Sequence, residues 1–150
     1  MSEPTTNAQR VFEIAMGLMD EVNESTGAAD TSDTREYRVR TLYILNALRG
    51  ELFPYSDTFE ITEPGKRPIC PVIMDFEGVI HLDDYICQSV MPYGLAAQLL
   101  LDENPSAAAF LQQRYEELRD KLARGLPQMA ESIVDVYGVI TPYNDDGRWL

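Results

Sequence analysis

Apolar residues recur at three- and four-residue steps in four stretches of the chain, which is the period of an amphipathic α-helix. The first stretch begins after residues 5–7, whose side chains are of the types that cap helices, and runs to about Val22. The second follows a polar loop and runs to about Phe53, where Pro54 must end it because proline has no N–H to donate. Its predicted core face consists of Val39, Leu42, Leu45, Leu48 and Leu52.

The third stretch follows Asp83, the predicted N-cap, and contains Pro92, where we expect a kink or a restart of the helix. Residues 92–101 are almost entirely apolar, which predicts the most buried helix of the fold. Asn104-Pro105 is a typical helix start, and Gly125-Leu126-Pro127 is expected to end the fourth helix. The core face of that helix is predicted to be Ala108, Leu111, Tyr115, Leu118 and Leu122.

Between the second and third helices the apolar period changes from helical spacing to alternation. Phe59 and Ile61 alternate with polar neighbours, and a turn signal follows at residues 63–66. We therefore predict a mainly α fold, a helical bundle of four to five helices with a small β-hairpin insertion around residues 58–82. Residues 1–126 would form a single helical domain with this β insertion. Residues 127–150 would form a C-terminal short helix and tail.

Asn46 interrupts the apolar face of the second helix. A buried asparagine has to find hydrogen-bond partners for its amide group. We expect those partners in the β insertion or at a helix terminus, so that Asn46 has a structural role.

The charge of the chain restricts the kinds of partner it can have. Its 150 residues, enough for one domain, carry 25 acidic and 12 basic side chains, a formal net charge of −13. Binding to nucleic acid phosphates or to an anionic membrane needs clustered Lys and Arg, so both are disfavoured. No apolar run approaches the ~20 residues that cross a bilayer. The acidic surface either keeps the protein soluble or meets a basic partner.

The sequence offers little catalytic or metal-binding chemistry. His81 is the single histidine, and its neighbours Asp83 and Asp84 lack the further ligands that a metal site needs. Cys70 and Cys87 lie in apolar runs, where they are expected to act as small buried hydrophobes. A small enzyme would require Asp75, Glu77, His81 and Asp83 to converge in a pocket. We predict that the protein is not an enzyme, with no catalytic residue, no cofactor and no metal.

The order and type of the predicted elements carry a resemblance. A V-I-H-L-D-D sequence at residues 79–84 is followed by M-P-Y-G-L-A-A-Q-L-L-L at residues 91–101 and A-A-F-L-Q-Q-R-Y-E-E-L at residues 108–118. Together with the preceding long helix, this pattern resembles the head–tail connector (adaptor) proteins of tailed bacteriophages and prophages. The resemblance covers residues 38–122 and concerns helix types. The N-terminal acidic helix and the proline-containing insertion follow the family pattern less closely.

The resemblance implies a mainly α-helical structural protein that forms a ring under the portal and joins the filled head to the tail. Its partners would be the portal protein, tail or head-completion proteins and further copies of itself. The isolated chain would be monomeric or weakly associated. It would lie in the bacterial host cytoplasm before assembly and in the virion neck afterwards.

The resemblance also makes residues 127–150 a candidate docking arm, with Tyr137, Trp149 and Leu150 as candidate partner contacts. The terminal Trp149-Leu150 either docks on a partner or folds back on its own core. The acidic first helix and the arginines of the second helix could meet between subunits or within one chain, and both arrangements stay open.

A different class of protein fits the same sequence. A small acidic helical regulatory or binding module would recognise a basic protein partner through its negative surface. The two hypotheses differ in structure, since a connector presents an extended C-terminal arm and ring contacts, whereas a module presents a groove.

Overall fold

The fold is mainly α, as the sequence predicts. The computed structural model describes residues 3–21, 27–29 and 31–129. The helices are α1 (Ala8–Leu18), α2 (Arg35–Leu52), α3 (Asp84–Ser89), α4 (Met91–Leu100) and α5 (Pro105–Met129). Short 3₁₀ turns at Ser32–Thr34 and Phe53–Tyr55 flank α2.

Helix α4 lies at the centre of the bundle and packs against α1, α2, α3 and α5. Eight of its ten residues are buried, which confirms the prediction that this is the most buried helix. The predicted restart at Pro92 is also confirmed. Helix α3 ends at Ser89, α4 begins at Met91, and Pro92 lies in the first turn of α4, where its missing N–H costs no intrahelical bond.

Gly94 lets two other helices approach α4 closely. A Cβ at this position would lie 3.0 Å from Cδ2 of Leu48 on α2 and 3.0 Å from two ring carbons of Tyr115 on α5. Tyr115 is buried, so its ring has little room to move aside. The contact between α2, α4 and α5 therefore depends on the absence of a side chain at residue 94.

The core faces of α2 and α5 agree with the prediction except at one position. Leu45, Leu48 and Leu52 of α2 are buried and Leu42 is half-buried. The predicted core residue Val39 is wrong, because 67% of it is exposed. On α5 the buried residues are Ala108, Leu111, Tyr115 and Leu118, and Leu122 is partly buried against the core.

Helix starts were easier to predict than helix ends. Oδ1 of Asn7 accepts a bond from the Arg10 amide at 2.9 Å, and Oδ1 of Asn104 accepts one from the Ala107 amide at 3.2 Å, so both predicted caps are confirmed. The predicted end of α5 at residues 125–127 is wrong, since the helix continues to Met129. Glycine and proline weaken a helix without forbidding it.

The predicted β-hairpin is not present in the described residues 58–82. This segment contains no strand, and its one bridge pairs Val79 with Asn7 at the start of α1. Burial recurs at every third residue, at Cys70, Ile73 and Phe76, instead of at every second one. We call residues 70–76, which form neither helix nor strand, the extended segment.

Helix α2 holds this extended segment through its polar and charged side chains. Nδ2 of Asn46 donates to the Ile73 carbonyl at 3.0 Å, and Oδ1 of Asn46 accepts from the Ile73 amide at 2.8 Å. Nη1 of Arg49 donates to the Cys70 carbonyl at 3.0 Å. The Arg38 guanidinium lies 3.7 Å from the centroid of the Phe76 ring. The expectation that Asn46 bonds to the insertion is therefore confirmed.

Adding one methyl group at Gly94 tests the close approach of the helices. We expect Gly94→Ala to lower the free energy of unfolding, because overpacking against Leu48 and Tyr115 outweighs the better helix propensity of alanine. The matched control is Gly50→Ala on α2, where a Cβ meets nothing within 4 Å and stability should rise by about 0.5–1 kcal/mol. Urea unfolding of both variants measures the difference, and equal gains at the two positions would contradict the close contact.

Removing the amide of Asn46 tests how the extended segment is held. We expect Asn46→Ala to lower the free energy of unfolding by about 1–3 kcal/mol, because the Ile73 amide and carbonyl lose their partners. Gln113→Ala serves as control, since its exposed amide bonds only to Glu117 on the same helix, and should change stability by less than about 0.5 kcal/mol. If both substitutions have the same small effect, Asn46 does not anchor the segment.

Candidate docking surfaces

Two of the acidic residues considered for catalysis, Asp75 and Asp83, form hydrogen bonds within their own part of the chain. Oδ1 of Asp75 accepts from the Gly78 amide at 2.6 Å. Asp83 occupies the N-cap position of α3, as predicted, but its side chain makes no capping bond to that helix. Its carboxylate accepts from the Ser56 hydroxyl at 3.1 Å and from the Asp57 amide at 3.0 Å. Within residues 3–21, 27–29 and 31–129, no three His, Cys, Asp or Glu side chains are grouped to hold a metal ion.

Asp84 joins the start of α3 to the N-terminal part of the chain. Its carboxylate accepts from the amides of Thr5 and Thr6 at 2.8 and 2.9 Å and from their hydroxyls at 3.0 and 2.7 Å. These bonds, the Thr5 amide first, lower the pKa of Asp84 to about 2. The sequence contains no local signal for a contact between residues this far apart in the chain, so this contact could not be predicted.

The two cysteines are free thiols that differ in burial. Cys87 is buried in the core, and its burial raises the pKa of its thiol to about 12. It therefore acts as a small hydrophobe, as predicted for its apolar run. Cys70 is half-buried in the extended segment.

A groove opens where the end of α1 meets the turn between α4 and α5. Its volume is about 520 Å³. The apolar lining includes Leu18, Leu100, Phe110 and Leu111, and 69% of Phe110 is exposed. The carboxylates of Asp20, Glu21 and Glu103 also line it, and no Lys, Arg or His does so among the described residues. We call this feature the acidic groove.

Tyr37 of helix α2 binds Glu103, one of the carboxylates that line the acidic groove. The Tyr37 hydroxyl donates a hydrogen bond to the Glu103 carboxylate, and this bond, with desolvation, raises the pKa of Tyr37 to about 12. Asp20 has a φ of 59°, a left-handed conformation that Asp tolerates better than most residues and that turns the chain after α1. The described residues that line the acidic groove come from two separate parts of the chain, 18–21 and 93–111.

A second surface is formed by the side of α2 that faces away from the bundle. Arg35, Val39, Tyr43 and Ala47 follow one another at four-residue steps and are all exposed. Tyr43 is 81% exposed. We call these four residues the outer face of α2. An apolar row with one arginine at its end is unusual for a helix face in contact with water alone.

The other arginines of α2 make contacts within the chain. Nη1 of Arg38 donates to Oε1 of Gln9 on α1 at 2.6 Å, and Arg40 donates to the Gln98 carbonyl at 3.3 Å. Arg38 on α2 therefore contacts α1 of the same chain, and this contact is to the amide group of Gln9.

The acidic groove is not among the features predicted from the sequence. The sequence pattern places Leu111 on the core face of α5 and gives no functional signal at Asp20, Glu21 or Glu103. The available signal was Phe110, an aromatic residue that does not belong to the core face of α5. The predicted partner contacts Tyr137, Trp149 and Leu150 lie outside the described residues.

Comparisons with protein families, with curated proteins and with solved structures give no match for this chain. Among the described residues, no helix combines the length and the apolar character needed to cross a membrane. The structure defines a mainly α-helical bundle with an acidic groove and an exposed apolar face on α2.

Replacing Asp84 tests the link between the chain start and α3. The pKa of Asp84 is lowered from 3.8 to about 2 on folding, so its stabilisation is complete well above pH 4 and is lost as the pH falls toward 2. We expect Asp84→Asn to lower the free energy of unfolding at pH 7 by about 1 kcal/mol, a modest value because the carboxylate is partly exposed.

The measurement is urea unfolding of Asp84→Asn and wild type between pH 7 and pH 2. The difference between the two proteins should shrink at the acidic end. Asp102→Asn is the control, because Asp102 is exposed and makes no hydrogen bond within the described residues. A pH-independent difference would show that the charge of Asp84 is not what holds Thr5 and Thr6.

Proposed function

We propose that the protein is a non-catalytic head–tail connector (adaptor) of a tailed bacteriophage or prophage. Two findings support this proposal. The fold is mainly α, and the three sequences that carry the resemblance fall at the entry to α3, on α4 and on α5, in one continuous helical unit. In this proposal the protein lies in the host cytoplasm before assembly and in the virion neck afterwards, and it contacts tail or head-completion proteins as well as the portal.

The observation that carries the proposal is the length of α5. The helix has 25 residues, and Leu122 is its last residue packed against the core among those whose side chains are described. The seven residues from 123 to 129 add about 10 Å of helix beyond that contact. The described helix therefore extends past its last core contact, and this extension supports a docking arm formed by the residues that follow it.

In this proposal residues 127–150 form the docking arm, and Tyr137, Trp149 and Leu150 bind the portal. Large aromatic side chains contribute most of the binding energy in many interfaces, which suits Tyr137 and Trp149 to this role. The net charge of −13 would repel DNA passing through the neck and so prevent it from binding to the ring.

The second candidate is an acidic binding module that recognises a basic protein partner. The acidic groove favours it, because an apolar floor with three carboxylates and, among the residues described, no basic side chain suits a segment that is both apolar and cationic. This candidate needs no docking arm.

Co-sedimentation with the portal protein encoded nearby tests the connector proposal. We expect the full-length chain to bind and a chain truncated after Met129 to lose binding, because the truncation keeps residues 105–129 of α5 and removes the part of the arm that contains Tyr137, Trp149 and Leu150. In the full-length chain, Trp149→Ala should weaken binding about tenfold or more, as for an aromatic anchor. Circular dichroism and thermal melting of each variant verify that the bundle stays folded.

The outcomes separate the two candidates. Equal portal binding by the full-length and truncated chains would mean that residues 130–150 are not the arm. No portal binding by either chain would rule out the connector as proposed and leave the binding module.

A further inference from the structure

We propose that the outer face of α2 on one copy of the chain docks into the acidic groove of a second copy. Val39 and Tyr43 would be the apolar anchors, and Arg35 would face the carboxylates that line the groove. This contact goes beyond the connector proposal, because it requires no portal and leaves residues 130–150 unused.

The acidic groove requires an occupant with two properties. Its exposed Phe110 and Leu18 would be covered by apolar side chains, which removes their surface from water. Its three carboxylates repel one another and any anionic occupant, so cationic groups must accompany those apolar side chains. A volume of about 520 Å³ is enough for several side chains.

The outer face of α2 has both properties. Val39 and Tyr43 are 67% and 81% exposed, and they are one helical turn apart. Arg35 lies one turn before Val39 and makes no hydrogen bond or ion pair within the described residues. Arg35 is the cationic residue of the outer face, because Arg38, Arg40 and Arg49 make contacts within the chain.

One chain cannot bring these two surfaces together. Tyr37 reaches the acidic groove from α2 through its bond to Glu103. Six residues further along the same helix, Tyr43 points about 120° away from Tyr37. The two directions are fixed by one rigid helix, so Tyr43 can enter only the groove of another copy.

The C-terminal segment is a poorer occupant than a second copy. Residues 130–150 contain four carboxylate side chains, from Glu131, Asp135, Asp145 and Asp146, and one basic side chain, from Arg148. An acidic segment would place like charges against Asp20, Glu21 and Glu103, which costs binding energy.

The proposed contact joins two different surfaces, so it is heterologous. Repeating it from copy to copy gives a ring if the rotation closes and a filament if it does not. Because the charged residues at its edge are exposed, we expect the contact to weaken with added salt.

Disulfide trapping tests the contact in the full-length protein with Cys70 replaced by serine. One variant carries Ala47→Cys on the outer face of α2, and the other carries Ala107→Cys in the acidic groove. We expect a 47–107 disulfide dimer to form under mild oxidation when the two variants are mixed. Gln113→Cys is the control partner, since it lies on α5 outside the groove and should cross-link at least tenfold more slowly.

Further substitutions in the Ala47→Cys chain test the anchors. Tyr43→Ser should slow the 47–107 cross-link about tenfold, whereas Ile61→Ser, which removes a similarly exposed apolar side chain elsewhere, should leave it unchanged. Arg35→Glu should also slow it, and Glu21→Arg in the Ala107→Cys chain should restore the rate through the reversed charge pair.

Equal cross-linking to residues 107 and 113, or a 47–107 rate that Tyr43→Ser does not change, would overturn the proposal. Failure of this contact is distinguishable from failure of the connector proposal. Truncation after Met129 should leave the 47–107 cross-link intact, while portal binding by the full-length chain is measured separately.

Discussion

The burial of α4 is the constraint on which the rest of the structure depends. A helix that is apolar on all sides has to be covered on all sides, and α1, α2, α3 and α5 supply that cover. Gly94 makes the arrangement possible by admitting Leu48 and Tyr115 to its surface. Among the described residues, two of the surfaces that remain exposed around these helices are suited to binding a partner. One is the acidic groove at the ends of α1 and α4, and the other is the outer face of α2.

Local signals made much of this fold predictable. Asn7 and Asn104 mark helix starts through hydrogen bonds to amides three residues away, so the sequence contains the whole interaction. The almost entirely apolar sequence of α4 likewise predicts its central position, because only a helix with neighbours on nearly every side can bury so many apolar side chains. Such features depend on residues that are close in the chain.

The features that escaped prediction depend on distant residues. Val39 has the spacing of a core residue, but the extended segment contacts α2 at Asn46 and Arg49, about two to three turns further along the helix, and leaves Val39 exposed. The alternating pattern in residues 58–82 indicated strands, whereas contacts with α2 impose a period of three. The bonds between Asp84 and Thr5 join positions 79 residues apart, and the acidic groove combines two such distant parts, residues 18–21 and 93–111.

The way α2 holds the extended segment has a consequence for sequence divergence. Asn46 and Arg49 bind the peptide groups of Ile73 and Cys70, which every amino acid carries in the same form apart from the proline amide. Recognition of the main chain places no demand on the side chains of Val72 and Met74, which are exposed. These exposed positions can therefore be substituted while the path of the segment along α2 is preserved, so that related chains could share the path and differ at Val72 and Met74.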